Sequence, residues 1–274
     1  MRLIVLFFCI LSGLVGFAQN SETYQALLDS ALQASSKNRL PQAEMLYKRV
    51  LEMEPSNPTN SLVWGNLGSV QYRLGNTQAA LQSYTMALNL QPKLVPVLEQ
   101  RADLYMEMND KTHALFDYSA ILDVDPSHEQ ALLGRASLRM EQRMYQEAQL
   151  DLETLLYHYP QHKQGELGLA ILSQKQERYK ESAERFAILL EKYPNDPTLY
   201  EARGNMEREA KLYELALLDY EEAGRISKDP FYNVMQALVY LDQGKKKTAR
   251  IMLDRAVRGG ESYASLKDIY LKCK

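Results

Sequence analysis

Prolines recur along this chain at an interval of 34 residues, with small departures near its two ends. Proline lacks a backbone N–H and clashes with the preceding helical turn, so it marks the ends and starts of helices. A fixed interval between helix ends indicates a repeated supersecondary unit, and 34 residues is the length of one helix–turn–helix repeat. The set consists of Pro55, Pro92, Pro126, Pro160, Pro194 and Pro230.

The composition agrees with a folded chain made of helices. Charged residues make up 24% of the 274 residues and apolar residues 46%, which is ordinary for a soluble protein. The net charge of −3 has the wrong sign for binding a phosphate backbone, so we expect no nucleic-acid partner. No proline falls inside a helix pattern and no alternating strand pattern occurs. The predicted fold class is all-α.

Small residues recur at the eighth position of seven units, which start near residues 24, 61, 95, 129, 163, 197 and 230. A small side chain there lets two helices approach closely, and a large residue on the second helix fills the remaining space. We therefore assign these positions to the core. Ser182 departs from the pattern, because alanine is expected at its position. The eighth-position residues are Ala31, Gly68, Ala102, Ala136, Ala170, Gly204 and Ala237.

The second unit resembles the tetratricopeptide repeat at all but one diagnostic position. The exception is Gln71, where the family usually has an aromatic residue. The resemblance implies a right-handed superhelical solenoid of about seven helix–turn–helix repeats over residues 19–263. A C-terminal capping helix over 264–274 follows from a stripe of Tyr263, Leu266, Ile269 and Tyr270. The matching residues are Trp64, Leu67, Gly68, Ala80, Tyr84, Ala87 and Pro92.

Each predicted turn between paired helices has one residue at an equivalent position. Glycine and asparagine suit the left-handed conformation that ends many helices, and four of the seven turns have one of them. The turn residues are Asn38, Gly75, Asn109, Arg143, Glu177, Lys211 and Gly244.

Arginine and aspartate occur together in three repeats. An arginine at the seventh position accompanies an aspartate at the twenty-third. The other four repeats have neither the arginine at the seventh position nor the aspartate at the twenty-third. This matched occurrence predicts an ion pair between the two helices of one repeat. The pairs are Arg101 with Asp117, Arg135 with Asp151, and Arg203 with Asp219.

The N-terminal residues have the pattern of a secretory signal. Arg2 is followed by the apolar stretch Leu3–Val15, and Gly16 and Ala18 supply the small residues of a cleavage site. We expect residues 1–18 to be removed on export to the periplasm or the cell exterior. An uncleaved anchor and a lipoprotein modified at Cys9 are the alternatives. The first is disfavoured because a membrane span needs about 20 apolar residues.

Catalytic and metal-binding patterns are missing from the sequence. His158 and His162 have the spacing of a helical metal pair, but Pro160 separates them. Phosphate-loop, nucleophile-elbow and dinucleotide-binding motifs are absent. We therefore expect no enzyme activity, no cofactor and no metal. The basic run Lys245–Lys247 is expected in the last turn between paired helices, as solvated surface. Cys273 is the only cysteine after the signal, and its role is open.

The family resemblance implies a concave partner-binding face built from first-helix positions. Carried onto this chain, these positions are polar and mildly acidic, which favours a protein or peptide segment with basic character. The predicted partner-binding residues are Tyr72, Arg73, Glu99, Asp103, Met106, Gln130, Ser137, Met140, Asn205 and Arg208.

Two functions remain open at this point. The first is an exported scaffold or adaptor that binds a protein or peptide. The alternative is a module that binds carbohydrate or cell wall, or an accessory subunit of a separate envelope enzyme. Sugar binding favours aromatic platforms, and Tyr72 is the only inward aromatic residue in the predicted set.

Export should leave Gln19 at the N-terminus. The intact mass of the secreted protein should therefore correspond to residues 19–274, with or without cyclisation of Gln19. A mass that retains residues 1–18, or that includes a lipid on Cys9, would show that the cleavage prediction is wrong.

Overall fold

The computed structural model describes residues 24–273. The predicted export signal, residues 1–18, lies outside the described residues. Within the described range the chain forms α-helices joined by turns, without β-strands, and its first helix, α1, covers residues 24–36. The others are α2 (Leu40–Met53), α3 (Asn60–Arg73), α4 (Thr77–Leu90), α5 (Val95–Glu107), α6 (Lys111–Leu122), α7 (Glu129–Glu141), α8 (Tyr145–His158), α9 (Lys163–Lys175), α10 (Tyr179–Lys192), α11 (Pro197–Glu209), α12 (Tyr213–Ser227), α13 (Phe231–Asp242), α14 (Lys246–Gly259) and α15 (Tyr263–Lys272).

The helices α1 to α14 alternate as the first and second members of pairs. First helices pack on the second helices that follow them, as α3 does on α4 and α11 on α12. The predicted all-α fold of helix–turn–helix repeats is confirmed. The chain forms two compact units, one ending at Ala131 and the other beginning at Leu132. None of the described helices combines the length and apolar character that a membrane span requires.

All seven predicted turn residues adopt the left-handed conformation, with φ between 57° and 81°. In the second repeat, the N–H of Gly75 donates to Tyr72 O at 2.8 Å and that of Asn76 to Gln71 O at 2.9 Å. These bonds satisfy carbonyls at the end of α3, as in a Schellman motif. Arg143, a residue without the freedom of glycine, adopts the same geometry, as do Glu177 and Lys211.

Small residues bring the paired helices into close contact. A Cβ atom on Gly68 would lie 2.6 Å from the ring of Tyr84, and one on Gly204 would lie 2.9 Å from Tyr220. Both distances are shorter than van der Waals contact, so these positions are restricted to glycine as long as the tyrosine rings stay in place. The structure thus confirms that they belong to the core.

Ser182 replaces the expected alanine for a reason that the structure shows. Its hydroxyl is fully buried and donates to the carbonyl oxygen of Ala170 at 2.8 Å. A buried hydroxyl is tolerated when it is hydrogen-bonded, so serine fits a site that otherwise requires a small apolar residue.

The three predicted ion pairs are confirmed, each with two hydrogen bonds. Arg101 contacts the two carboxylate oxygens of Asp117 at 2.8 and 2.7 Å. The aspartates are almost fully buried, so removal of either partner would leave an uncompensated buried charge. The equivalent distances are 3.1 and 2.7 Å for Arg135 with Asp151, and 2.7 and 2.7 Å for Arg203 with Asp219.

A third side chain, four residues after each arginine, completes these clusters differently. Arg139 donates to Asp151 at 2.5 Å. The ring of Tyr105 lies 5.7 Å from the guanidinium carbon of Arg101. In the sixth repeat the equivalent residue is Glu207, which is 6% exposed, and its Oε2 atom has no hydrogen-bond partner in the described chain. Burial and the neighbouring carboxylate of Asp219 raise the pKa of Glu207 to about 8.

The terminal helix packs on the seventh repeat through its second and third turns. Leu266 is buried in one cluster with Val234 and Leu253, and Ile269 and Tyr270 border this cluster. The predicted stripe is wrong at Tyr263, which is 59% exposed because the first residue of α15 lies beyond the buried contact. Its ring instead lies against that of Tyr270, at 4.9 Å between centroids.

The basic run Lys245–Lys247 begins in the last turn between paired helices and continues into the next helix, and all three lysines are exposed, as predicted. Gly244 takes the left-handed conformation that ends α13. The lysines that follow it therefore open α14, with Lys246 as the first helical residue.

Replacing Arg143, Glu177 or Lys211 by glycine should stabilise the array. Left-handed backbone costs an L-residue roughly 1–2 kcal/mol, and the larger unfolded-state entropy of glycine offsets about half of that. We expect the free energy of unfolding to rise by up to about 1 kcal/mol at each position, as measured by urea denaturation. Gly75→Lys should have the opposite sign, and Glu184→Gly at an exposed position inside α10 should destabilise. Loss of stability in all three glycine variants would contradict the expectation.

Glu207→Gln should flatten the dependence of stability on pH. Folding raises the pKa of Glu207 from 4.5 to about 8. The protonated side chain therefore contributes fully to the free energy of unfolding below pH 4.5, and this contribution is lost as the pH rises through 8. The difference in free energy of unfolding between the Gln variant and the native protein should therefore shift in favour of the variant between pH 5 and pH 8, by on the order of 2 kcal/mol.

Urea denaturation at both pH values measures this difference. Glu191→Gln, at an exposed position on α10, is the matched control and should behave like the native protein at both pH values. A constant difference between Glu207→Gln and the native protein would contradict the assignment.

Candidate partner-binding clefts

The predicted partner-binding residues are divided between the two units. Tyr72 and Arg73 end α3, Glu99, Asp103 and Met106 lie on α5, and Gln130 lies at the start of α7 within the first unit. The second unit holds Ser137 and Met140 on α7, and Asn205 and Arg208 on α11.

A cleft of about 670 Å³ brings four of these residues together in the first unit: Tyr72, Arg73, Asp103 and Met106. The prediction missed two tyrosines at this site, Tyr84 and Tyr118, because their second-helix positions were assigned wholly to the core. Their rings are indeed buried, 2% and 5% exposed, yet both line the cleft. The remaining lining residues are Ser69, Gln100, Leu104 and Glu107.

The carboxylate of Asp103 is the polar centre of this cleft. It accepts a hydrogen bond from Nε2 of Gln130 at 3.1 Å. Asp103 is nevertheless exposed, so its carboxylate can also contact a ligand. Partial desolvation raises the pKa of Asp103. Burial and the nearby Asp103 carboxylate raise the pKa of Tyr118 to about 12, so the phenol keeps its proton.

Tyr72 and Arg73 border the cleft with groups that already have partners. The hydroxyl of Tyr72 donates to Oε1 of Glu107, and this bond is the main cause of the raised pKa of Tyr72. The guanidinium of Arg73 donates to the side-chain oxygen of Asn38 at 2.7 Å. Tyr72 remains 40% exposed, which leaves its ring available to a ligand.

Glu99 is not part of the cleft lining. Its carboxylate lies 3.1 Å from Nε2 of His128. Glu99 is one helical turn before Asp103, which places it beside the residues that lead into α7. Gln130 does not line the cleft either, but it contacts the cleft through Asp103.

The second unit has a smaller cleft of about 570 Å³ that contains Asn205 and Arg208. Arg208 lies 2.5 Å from the carboxylate of Asp242, and the side-chain oxygen of Asn205 accepts from Tyr220 at 2.8 Å. Lys175 also lines this cleft, 4.0 Å from Glu209. Its charges are therefore largely compensated within the protein.

Ser137 and Met140 line neither of these two clefts. Met140 is partly buried and packs against the core cluster of Ala136, Ala148 and Leu152, so its place on the binding surface stays a prediction. A flexible thioether fills irregular gaps in a core, and this role explains methionine here. Ser137 is exposed on α7.

The two histidines with metal-like spacing are separated by the break between α8 and α9. His158 ends α8, and the ring of His162 accepts a hydrogen bond from the N–H of Gly165 at 3.1 Å, which caps α9. Within the described residues, no group of three or more histidine, cysteine, aspartate or glutamate side chains has an arrangement suited to a metal ion.

Models of the tetratricopeptide repeat family match residues 26–94, 95–128, 130–162 and 167–230. The chain is also similar to a tetratricopeptide repeat protein from Parabacteroides merdae, with 30% sequence identity and a TM-score of 0.77. The similarity covers 92% of this chain and 99% of that protein. No curated protein matches the sequence.

More distant solved structures share the fold. A chain of the APC/C hetero-tetramer Cut9–Hcn1 has 14% identity and a TM-score of 0.57, over 90% of this chain and 55% of that one. A MamA RS-1 double mutant has 15% identity and a TM-score of 0.54, over 62% and 95%. Together with the paired helices and their 34-residue interval, the family matches and the full-length relative show that this chain belongs to the tetratricopeptide repeat family.

Proposed function

We propose that this protein is an exported, non-catalytic scaffold that binds a peptide segment of a partner protein in the cleft of the first unit. Repeat proteins of this class bind partners on extended surfaces of their stacked helices. The observation that carries the proposal is the exposed ring of Tyr72 beside two carboxylates, Asp103 and Glu107. The exposed ring face and these exposed carboxylates lie outside the buried core.

The charges of the cleft favour a basic side chain in the ligand. Asp103 and Glu107 contribute two negative charges, against one positive charge from Arg73, whose guanidinium already donates to Asn38. An ammonium or guanidinium group placed over the face of Tyr72 would gain both a cation–π contact and an ion pair.

The apolar part of the cleft favours a second, uncharged anchor in the same peptide. Leu104 and Met106 line it beside the tyrosines. A volume of about 670 Å³ lies within the usual range of ligand pockets, which is about 300–1,000 Å³. A lysine or arginine next to an aliphatic or aromatic residue is the ligand chemistry that fits best.

Carbohydrate binding is less well supported by the same residues. Sugars stack on exposed ring faces, whereas Tyr84 and Tyr118 are 2% and 5% exposed. Only Tyr72 among the cleft tyrosines offers such a face, so a peptide ligand is favoured over a glycan.

The location of the partner depends on the export signal. The pattern in residues 1–18 supports secretion, which would bring the cleft to the periplasm or the cell exterior. The proposed partner is therefore a protein of the cell envelope or one that is itself secreted.

Random peptides displayed on phage and selected on the purified protein should converge on a basic residue next to an apolar one. Asp103→Lys combined with Glu107→Lys should weaken binding of the selected peptides at least about tenfold, because two charge-assisted contacts are replaced by repulsion. Fluorescence anisotropy of labelled peptides measures the change.

Glu52→Lys combined with Glu191→Lys is the matched control. It alters the net charge equally at exposed positions outside the cleft, and its affinity should stay near the native value. Equal weakening in both double variants, or selection of acidic peptides, would exclude the cleft as the proposed site.

A further inference from the structure

The second helix of the seventh repeat, α14, has an outer surface unlike that of the other second helices. It contains five lysine or arginine residues and one acid, Asp254. By contrast, α12 contains four acids and one arginine, and α8 contains three acids and neither lysine nor arginine. The five cations of α14 are Lys246, Lys247, Arg250, Arg255 and Arg258.

These cations are exposed, and the inner side of the same helix is core. Ala249, Leu253 and Ala256 are fully buried, which places Lys247 and Arg258 on the opposite side of the helix, with Arg250 and Arg255 at its two flanks. All five basic residues are exposed. No carboxylate of the described chain forms an ion pair with any of them, although ion pairs are frequent on other helices of the second unit.

The position of the lysines is unfavourable for the helix itself. The N-terminus of a helix carries partial positive charge, and acidic residues are favoured there. Here Lys245 precedes the first turn of α14, and Lys246 and Lys247 lie within it. This arrangement stabilises neither the core nor the helix, so a ligand outside the chain is the better explanation for it.

The extent and composition of the surface indicate the kind of ligand. The cations are distributed from Lys246 to Arg258, about 18 Å along the helix, so an extended anionic surface would engage more of them than a compact anion. Exposed apolar side chains lie among them or on the adjacent α15: Ile251 and Leu271, each 49% exposed, and Tyr263. Cations interspersed with aliphatic and aromatic residues are typical of surfaces that bind the headgroup region of a bilayer.

The helix α15 adds to this surface because it packs along α14. The hydroxyl of Tyr270 donates to Asp254 at 2.8 Å. The only acid of α14 is therefore already hydrogen-bonded within the protein. Exposed Lys267 and Lys272 on α15 contribute two further cations, against one exposed acid, Asp268. We propose that the outer surface of α14 and α15 binds peripherally to anionic phospholipid membranes, independently of the peptide cleft.

Sedimentation with lipid vesicles tests this proposal. The chain from Gln19 onward contains every described residue and lacks the apolar leader, which would itself bind lipid. It should sediment with vesicles of equal parts phosphatidylglycerol and phosphatidylcholine, and not with pure phosphatidylcholine. Raising the salt from about 0.1 M to about 0.5 M should release it, because surface charges are screened.

Replacing three cations by glutamine, as in Lys247→Gln with Arg250→Gln and Arg258→Gln, should weaken vesicle binding roughly a hundredfold, about fivefold per cation. The matched control is Arg49→Gln with Lys93→Gln and Lys180→Gln, which removes three exposed cations elsewhere and should bind like the native protein. Circular dichroism verifies that both triple variants remain folded.

Three outcomes would overturn the proposal. They are absence of binding to anionic vesicles, equal binding by the native protein and the α14 triple variant, and equal loss in the two triple variants. Binding to soluble dextran sulfate without binding to vesicles would also overturn it, since that result indicates a polyanion rather than a lipid surface. Peptide binding by the α14 variant reports separately on the cleft.

Discussion

The contact between the two helices of a repeat depends on residues that have almost no side chain. At Gly68 the backbone of α3 approaches the ring of Tyr84 so closely that a single added carbon would overlap it. The tyrosine fills the space that the glycine leaves, and its ring is buried. The same tyrosine also lines the cleft that contains Tyr72. The packing rule that forms the core thus also places a phenol in the candidate site.

Sequence reasoning succeeded where one local rule determines the outcome. The turn residues follow from helix termination, and the pairing of Arg101 with Asp117 follows from matched occurrence between repeats, which averages out the variation of any single unit. It failed where a side chain has two roles or two orientations. Tyr118 belongs to the core and to the cleft, and the partly buried Met140, at a binding position of the family, also packs against core residues of its own repeat. The pairing of Glu99 with His128 joins α5 to the residues before α7, and the pattern within one repeat contains no information about it.

The buried ion pairs show how one position can vary around a constant contact. The carboxylate of Asp151 receives two arginines, whereas Asp117 has one arginine with a tyrosine ring beside it. In the sixth repeat an acid, Glu207, replaces these favourable neighbours and holds its proton into the neutral range. Removal of the arginine that neutralises Asp219 should therefore be strongly destabilising, whereas the third residue changes how strongly the stability of the cluster depends on pH.

The outer surface of each second helix is free of these constraints, because only its inner side packs on neighbouring helices. Leu218 on α12 and Ile251 on α14 occupy equivalent exposed positions, yet acids such as Glu221 surround the first and cations such as Arg250 surround the second. The buried residues of the two helices match at three of four positions, with two alanines and one large residue, Tyr220 or Leu253, and differ only where Asp219 of α12 is replaced by Met252 of α14. That single buried difference cannot account for the contrast on the exposed side. A difference in charge that the core does not require, and that opposes the helix dipole at Lys246, is best explained by what each surface meets in solution.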